Sequence, residues 1–466
     1  MAIPKNNEQD SHRQKLEELK RLTEAGEYPE AMSVANELLT DDFNDATALF
    51  FLGYCLLKTE RFGLACNIFQ RVSVMQPNKA EPWNNAGMCY QESWDLGEAE
   101  KCFRRSLQLE PDDPAAMQNL ALIYVNRCLP EEALKWISRA EKITGEPTWV
   151  ALDNKALALL MKGEWKEGWA CYRATAGRDK NRQLRVYRDP EEPMWNGEPG
   201  RVVIYPNQGL GDEIAFASCI PDAMQKAEVI IDCDHRLEGL FRRSFPKAKV
   251  YGTRFKGVNW KEEIDYSTPN DCLPALFRNS DAEFPGTPYL KADPERRLQW
   301  RSLFDTMRKP VIGIAWTGGN KHTGKHKRSL QLEQLEPILR AVDATWVSLE
   351  YRDRTDAIEA FTKKTGIQIH NWKRATQTDD YDDTAGLVAE LDLVICPTTA
   401  MVHLCGALGK EAWVLVPGLP RWWYRLDGDT TPWYRSVKFF RQKKDQSWSE
   451  PIDKVAKLLK LRYGSA

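Results

Sequence analysis

A 34-residue repeat is the feature that most constrains what the first third of this chain can fold into. When the sequence is shifted on itself by 34 residues, small, aromatic and proline positions coincide. The matched positions are Gly53 with Gly87; Leu56 with Tyr90 and Tyr124; Ala65 with Ala99 and Ala133; Phe69 with Phe103 and Ile137; and Pro77 with Pro111. A fixed period with small residues where helices touch and a proline closing each unit predicts a stack of helix-turn-helix units.

The period and its residue pattern are those of tetratricopeptide repeats. Full repeats are predicted at 46–79, 80–113 and 114–147, and a looser repeat lies on either side of them. Atypical outer repeats are expected because the ends of such an array face water. The pattern therefore predicts an α-solenoid over residues 1–177, which serves either as a scaffold or as a concave surface that docks an acceptor or a protein partner.

Length, charge and cysteine content set broad limits on the rest. A chain of 466 residues is long enough for about three domains. Its net charge of -2 provides no overall attraction to nucleic acid or to an anionic membrane. The 11 cysteines include no Cys-x-x-Cys pair, which favours reduced thiols, and no stretch approaches the length and apolarity of a signal peptide or a membrane span. We therefore expect a cytoplasmic protein without nucleic-acid partners or membrane insertion.

After a linker at 178–200, short apolar runs alternate with helical segments. The runs that read as buried strands are 202–206, 228–232, 249–252, 310–316, 344–350, 367–370, 391–397 and 411–417. They predict two doubly wound, Rossmann-like α/β lobes at 201–295 and 296–466, with a cleft between them. Ligands of such sheets lie beyond the carboxyl ends of the strands, so the loops after these runs are the candidate site. A final helix is expected to start near Ser449.

The first of three such loops is Gly209-Leu210-Gly211-Asp212, directly after the first strand. A carboxylate on a glycine turn facing a cleft can accept a proton from a hydroxyl, although Asp212 could also cap the helix that follows. The loop is half of a dinucleotide-binding fingerprint, because Ile214 replaces the third glycine while Asp232 lies about 20 residues on. A dehydrogenase therefore remains an alternative.

The second loop is GGNKHTGKHKRSL, residues 318–330. It places cations and histidines among glycines: Lys321, His322, Lys325, His326, Lys327 and Arg328. Cations and free amides before a helix suit a diphosphate. The alternatives are a solvated loop and a zinc pair formed by the two histidines, against which the glycine between them argues.

The third loop is CPTTAMVHLCGALG, residues 396–409, a strand end followed by a threonine-capped helix. The backbone amides around Thr398, Thr399 and Ala400 would form a phosphate site at the helix start. His403 lies four residues after Thr399, on the same helical face, so it could reach the same ligand. A buried structural histidine is the alternative.

Two acidic stretches and one aromatic loop complete the candidates. Asp232-Cys233-Asp234 and Asp380-Tyr381-Asp382 spell the Asp-x-Asp of manganese-dependent sugar transfer, but the second precedes a helix whose start it would favour through the helix dipole. The loop 421–434, RWWYRLDGDTTPWY, could stack on a sugar or a nucleobase, or could pack in the core. No metal site is predicted.

Taken together, these residues resemble the heptosyltransferase-like family of glycosyltransferases. The resemblance is carried by Gly209–Asp212 followed by Ile214, Phe216 and Pro221; by Arg328-Ser329; and by Thr399 through His403 to Gly409. The tail TPWYRSVKFFRQ, residues 431–442, and Trp448 are similar to the ending of bacterial proteins that join tetratricopeptide repeats to such a domain. The resemblance covers nearly the whole chain.

The resemblance implies a glycosyltransferase B fold, with 201–295 on the acceptor side and 296–466 on the nucleotide-sugar side. It implies metal-independent, inverting transfer from a nucleotide-diphosphate sugar to a hydroxyl of a glycan or protein acceptor, with no cofactor besides that co-substrate. Asp212 would be the base, Arg328 a phosphate-binding cation, and the helix from Thr399 the receiver of the diphosphate. In this architecture the last helix commonly crosses back to the first lobe.

One departure from the family concerns the donor side. Heptosyltransferases usually carry Asp-Thr at the strand end where this chain has Thr398-Thr399, so a carboxylate expected near the donor sugar is absent. The alternative function is therefore a non-catalytic binding or assembly protein with a degenerate transferase domain and a functional repeat scaffold. Protein O-linked N-acetylglucosamine transferases share the combination of domains, without sharing these motifs.

Overall fold

The computed structural model describes residues 5–176, 185–188, 191–319, 325–443 and 447–464. Its contacts divide the chain into two compact units, Met1–Ala158 and Leu159–Ala466. No helix in these described ranges is both long enough and apolar enough to cross a membrane.

Antiparallel helix pairs make up the N-terminal part. In the described ranges up to residue 176 the helices are α1 (Lys5–Ala25), α2 (Tyr28–Asp41), α3 (Ala46–Lys58), α4 (Phe62–Met75), α5 (Ala80–Glu92), α6 (Leu96–Leu109), α7 (Pro114–Asn126), α8 (Pro130–Thr144), α9 (Trp149–Lys162) and α10 (Trp165–Thr175). The pairs α3–α4, α5–α6 and α7–α8 begin at the three repeat starts predicted from the period. The predicted helical solenoid is thus confirmed.

Small residues allow the two helices of each pair to approach closely. Ala65, Ala99 and Ala133 are fully buried. A Cβ added to Gly87 would lie 2.7 Å from the ring of Phe103, a distance that real Cβ contacts do not reach. The recurrence of small residues at these positions therefore follows from helix packing.

The turn inside each pair holds one residue in the left-handed region of the backbone. Glu60, Trp94 and Cys128 have φ of 60°, 61° and 56°, and they stand 34 residues apart. Glycines occupy the matching turns of the outer pairs, where Gly26 and Gly163 have φ of 78° and 81°. Three of the five turns thus carry side chains in a conformation that costs about 1–2 kcal/mol for residues other than glycine.

Replacing Glu60 by Gly is expected to stabilise the repeat unit. Relief of the left-handed strain exceeds the roughly 0.4–1 kcal/mol that glycine loses through the flexibility of the unfolded chain, so the expected gain is about 0.5–1 kcal/mol. Urea unfolding of Glu60→Gly measures it. Lys101→Gly, at an exposed position inside α6, should instead lose about 1 kcal/mol. Equal losses in both variants would contradict the strain argument.

A four-stranded parallel sheet follows. Its elements are β1 (Arg201–Tyr205), α11 (Leu210–Phe216), α12 (Ile220–Ala223), β2 (Glu228–Asp232), α13 (Glu238–Ser244), β3 (Lys249–Tyr251), β4 (Tyr266–Pro269) and α14 (Pro274–Phe277). The strand order is β3-β2-β1-β4, with every neighbouring pair parallel. The sequence predicted three of these four strands, β1, β2 and β3. The sequence Tyr-Ser-Thr-Pro of β4 lacks an apolar run, yet its Ser267 and Thr268 are buried beside β1.

A six-stranded parallel sheet forms the last part of the chain. Its elements are α15 (Pro294–Phe304), β5 (Val311–Ile314), α16 (Lys325–Arg328), α17 (Glu336–Leu339), β6 (Thr345–Ser348), α18 (Thr355–Thr365), β7 (Ile369–His370), α19 (Lys373–Thr376), α20 (Tyr381–Glu390), β8 (Leu393–Pro397), α21 (Ala400–Leu408), β9 (Ala412–Val416), β10 (Val437–Arg441) and α22 (Ser449–Tyr463). The order is β10-β9-β8-β5-β6-β7. Its strands read as continuous apolar runs because helices cover both faces.

Two details of this sheet differ from expectation. The tail 431–442 contains a strand, β10, which pairs with β9. Helix α22 begins at Ser449 as predicted, but it packs on α17, β9 and β10 of its own sheet rather than crossing to the four-stranded one. The apolar side of α22 is buried in the core of the six-stranded sheet, and this burial explains its position. The residues that contribute are Trp448, Ile452, Val455 and Leu459.

Candidate functional site

A cavity of about 610 Å³ opens where the loops after several parallel strands meet α11. The lining described by the structure includes seven of the nine predicted site residues: Gly211, Asp212, Arg328, Thr398, Thr399, Ala400 and His403. Gly209 precedes this set in the turn, and Lys327 is half-buried beside Arg328; neither is among the described lining residues. Side chains separated by almost 200 positions in the sequence therefore meet in one place.

The glycine turn places Asp212 in the first turn of α11. Gly209 is the N-cap residue and makes no side-chain cap bond. A Cβ on Gly209 would lie 3.3 Å from Asp212 Oδ2, and one on Gly211 would lie 3.0 Å from Ala400 Cα. The turn thus needs glycine at position 211 because α11 and α21 touch there.

Burial dominates the electrostatics of Asp212. It raises the pKa of the carboxyl, while the charge of Arg421, backbone hydrogen bonds at Gly209 and Asp212, and a hydrogen bond from the Trp423 side chain pull the pKa down. Asp212 thus lies in the first turn of α11, where a carboxylate favours the helix start, and it also lines the cavity. A half-buried carboxylate with a raised pKa is a stronger proton acceptor than one in water.

The residue after Asp212 anchors the turn from inside the fold. Glu213 is buried, accepts a hydrogen bond from the Asp234 backbone N–H at 2.9 Å and pairs with Arg254 at 3.2 Å. Arg254 also donates to the carbonyl oxygen of Gln208. Burial raises the pKa of Glu213 to about 8. These contacts fix both ends of the turn that presents Asp212.

Arg328 approaches the strand end that precedes α21. Its Nη1 donates to the Thr398 carbonyl oxygen at 3.2 Å, although the two residues are 70 positions apart. A Cβ added to Gly318 would lie 2.6 Å from Thr399 Cγ2, so the loop after β5 packs directly on the start of α21. Gly318, Arg328 and the start of α21 therefore converge on one side of the cavity.

Two guanidinium groups share this part of the cavity. Burial lowers the pKa of Arg328 and the charge of Arg421 lowers it further, while Tyr424 and Asp212 raise it. Arginine stays protonated in proteins, so the lowered pKa measures an electrostatic cost that the folded state bears. An anion bound near Arg328 and Arg421 would reduce that cost.

The start of α21 presents a polar surface. Thr399 is its N-cap, and Oγ1 accepts a hydrogen bond from the Met401 backbone N–H at 3.2 Å. The Val402 N–H donates to the Thr399 carbonyl oxygen at 3.1 Å, and the positive end of the helix dipole at this start suits an anion. Thr398 is 1 % exposed, and its Oγ1 has no hydrogen-bond partner among the described residues.

His403 is a buried neutral group. Its Nδ1 lies 3.1 Å from the Tyr434 hydroxyl, and burial lowers the pKa of the imidazole to about 4. Tyr289, whose hydroxyl lies 3.5 Å from that of Tyr434, donates to the Ile214 carbonyl oxygen at 2.8 Å. His403 therefore lines the cavity without adding a positive charge near pH 7.

Sequence reasoning missed several lining residues. They are Arg236, Leu349, Tyr351, Thr376–Asp379 and Tyr381. The predicted aromatic loop 421–434 supplies Arg421, Trp423 and Tyr424, which follow β9 at the edge of the sheet where ligands lie. Of the aromatic loop, Trp422 and Trp433 are buried in ring contacts with Trp423, which supports core packing for those two.

The acidic stretches have structural roles. Asp232 is fully buried and accepts hydrogen bonds from the Thr253 N–H and hydroxyl and from the Tyr187 hydroxyl, so it is not placed to bind a ribose. Asp380 caps α20, and Asp382 forms two hydrogen bonds with Arg243. No group of three potential metal-binding side chains occurs in the described ranges. Lys321 and His322 lie outside these ranges, as do the side chains of Lys325 and His326.

Comparison with known proteins identifies the repeats. The family model described as tetratricopeptide repeat matches residues 80–113, the second of the predicted repeats. The helical array consists of tetratricopeptide repeats. Arrays of this kind act as protein-interaction scaffolds.

Relatives cover different shares of the chain. Protein FlbA of Caulobacter vibrioides is 27 % identical over 431 residues, which is 88 % of this chain and 72 % of FlbA. The tetratricopeptide repeat-containing protein trd-1 of Caenorhabditis elegans is 31 % identical over 134 residues, 29 % of this chain and 17 % of trd-1. The crystal structure of TTC0263, a tetratricopeptide protein of Thermus thermophilus, has 16 % identity and a TM-score of 0.31, covering 36 % of this chain and 86 % of its own.

Proposed function

We propose that the α/β unit is a glycosyltransferase of the B fold, which transfers a sugar with inversion from a nucleotide-diphosphate donor to an acceptor hydroxyl. The observation that carries the proposal is the shared cavity of Asp212, Arg328 and the start of α21. A carboxylate base on one side and an anion site on the other are the two functions that such a transfer requires. The heptosyltransferase-like motifs support the same assignment.

Each element of the cavity has a role in this proposal. Asp212 removes the proton from the acceptor hydroxyl as the bond to the anomeric carbon forms. Arg328 and the N–H groups at the start of α21 stabilise the departing diphosphate. Arg421, from the aromatic loop 421–434, adds a second cation on the same side. With these groups the diphosphate is neutralised by protein side chains, so we propose transfer that needs no metal and no cofactor besides the nucleotide sugar.

The repeat array supplies the partner-binding part of the proposal. It docks either the acceptor, a glycan or a protein, or a protein partner that delivers it, since tetratricopeptide arrays have no chemistry of their own. The match to FlbA covers 88 % of this chain and therefore includes both the repeats and the α/β part. This supports the proposal that the two parts act together.

Binding of nucleoside diphosphates is the direct test. ADP, UDP, GDP and CDP are screened by thermal shift on the full chain, with inorganic pyrophosphate as the control for a generic anion. A diphosphate at 100 times its dissociation constant should stabilise the folded α/β unit by about 2.7 kcal/mol. At least one nucleotide should raise the melting temperature more than pyrophosphate does.

The competing function is a binding or assembly platform with a degenerate transferase domain. It is favoured by Thr398, whose side chain stands where heptosyltransferases usually carry an aspartate. No stabilisation by any of the four nucleotides would support the platform and reject the transferase. A nucleotide response would reject the platform, because a surface that only docks proteins needs no nucleotide site.

A further inference from the structure

Helix α10 contributes a row of buried aromatic residues to the α/β unit. Trp165, Trp169 and Tyr172 repeat at helical spacing and are all buried. Trp165 Nε1 donates to Asp281 Oδ1 at 2.7 Å, and Trp169 Nε1 donates to the Arg278 carbonyl oxygen at 2.9 Å. The 34-residue period placed α10 in the last repeat. Its buried aromatic face nevertheless packs on the α/β unit.

Tyr172 contacts the residues that lead into the glycine turn Gly209–Asp212. Its hydroxyl donates to Asp271 Oδ2 at 3.4 Å and accepts a hydrogen bond from Gln208 Nε2. Gln208 Nε2 also donates to Asp271 Oδ2 at 3.1 Å, and Asn207 Nδ2 does so at 3.4 Å. Two successive residues just before Gly209 are therefore tied to one buried carboxylate and one tyrosine of α10.

Trp169 packs on the aromatic residues that lie close to Asp212. Its ring packs edge-on against Trp422, with centroids 5.3 Å apart, and against Phe216 at 6.4 Å. Trp422 stacks on Trp423 at 4.0 Å, and Trp423 packs on Phe216 at 4.9 Å. The Trp423 side chain lines the same cavity as the Asp212 carboxylate and interacts with it in the direction that lowers its pKa. A continuous set of ring contacts thus runs from α10 to the candidate base.

We infer that Tyr172 and Trp169 of α10 are positioning residues for Asp212, the first through the backbone that enters the glycine turn and the second through Trp422 and Trp423. The inference rests on the proposed function for the role of Asp212 as the base. Its structural content, that α10 orders the turn and the Trp423 loop, is tested independently of that role. Because both tethers belong to one helix, movement of α10 alters the base from two sides at once.

Local hydrogen exchange in the full chain tests this ordering. In Tyr172→Phe, which keeps the ring and removes the hydroxyl, peptides covering 207–216 should exchange about three- to tenfold faster, as expected for the loss of one ordinary hydrogen bond. In Trp169→Phe the same acceleration should appear in peptides covering 421–424. Trp165→Phe is the control on the same helix. Trp165 stacks on Trp169 and packs on Phe284, but among the described contacts it has no hydrogen bond or ring contact with the turn or with Trp422, so its effect on both peptides should be smaller.

Two outcomes would overturn the inference. One is unchanged exchange in both peptides in Tyr172→Phe and Trp169→Phe. The other is equal acceleration in Trp165→Phe, since that would indicate general loosening of α10. Nucleotide binding by the wild-type chain reports on the proposed function alone, so its absence combined with the expected exchange pattern would reject the function and keep the positioning role.

A pH profile separates positioning from simple destabilisation once turnover is measured. Loosening Trp423 in Trp169→Phe weakens a hydrogen bond that lowers the pKa of the Asp212 carboxyl. The pKa then rises, the base is protonated at higher pH, and the acid limb of the profile should move to higher pH. A lower rate with an unmoved limb would contradict the role of Trp169.

Discussion

Asp212→Asn protein is expected to turn over its nucleotide sugar about 100- to 10,000-fold more slowly than the wild type, the usual contribution of a general base. Asparagine has nearly the same shape as aspartate, so the turn and the contact of Gly211 with Ala400 should persist. It cannot accept the proton of an attacking hydroxyl. Affinity for the nucleoside diphosphate should stay within about threefold, because the phosphate site is formed by other residues. Release of nucleoside diphosphate from the nucleotide sugar, with water as acceptor, measures the rate.

Asp379→Asn is the control for charge. Asp379 lines the same cavity and is exposed, so its replacement removes an equal charge without removing the candidate base. Its turnover should remain within a few-fold of the wild type. Undiminished turnover in Asp212→Asn, or equal losses in the two variants, would exclude Asp212 as the base.

Arg328→Ala is expected to weaken binding of the nucleoside diphosphate by about 1.5–3 kcal/mol, or roughly 10- to 150-fold, the scale of hydrogen bonds to charged groups. Binding of the corresponding nucleoside should change much less. The reason is geometric: Arg328 contacts the Thr398 carbonyl at the start of α21, where the proposed diphosphate lies. Calorimetry with both ligands measures the two losses.

Lys327→Ala is the matched control for that prediction. Lys327 adjoins Arg328 in the same basic loop but is not among the cavity-lining residues described. Removing it should weaken diphosphate binding by no more than about 1 kcal/mol, as is usual for an exposed or partly exposed charge. Equal losses for nucleoside and diphosphate in Arg328→Ala would mean that Arg328 supports the fold only. Equal effects of the two variants would mean that the loop acts through its summed charge.

The repeat array was largely predictable because its determinants are local. Helix length, the turn between two helices and the small residue at their contact all recur within 34 positions. Gly87 shows the reason, since the ring of Phe103 leaves no room for a side chain only 16 positions away. The left-handed backbone of Glu60 and Trp94 was not predicted, because these residue types do not signal a positive φ.

The sheets were predictable where burial on both faces demands apolar runs. The five runs that became β5 to β9 have this character, whereas β4 is polar in sequence and is a strand only because β1 lies beside it. The destination of α22 was wrong for a related reason. Its amphipathic pattern indicates a buried face but not which sheet covers that face.

The candidate site also combines residues that the sequence indicated with contacts that only the structure revealed. Asp212, Arg328 and Thr399 could be selected from the sequence because each follows a recognisable strand, and parallel strands bring their carboxyl ends to one edge. The sequence by itself thus determined the repeat period, the strand-ending loops and the residue types that can act as base and phosphate ligands. Only the tertiary structure decided that Arg328 meets Thr398 across 70 positions, that Arg421 and Trp423 join Asp212, and that α10 packs behind the turn. The physical reason is that charge and burial depend on distance in space, which periodicity along the chain does not encode.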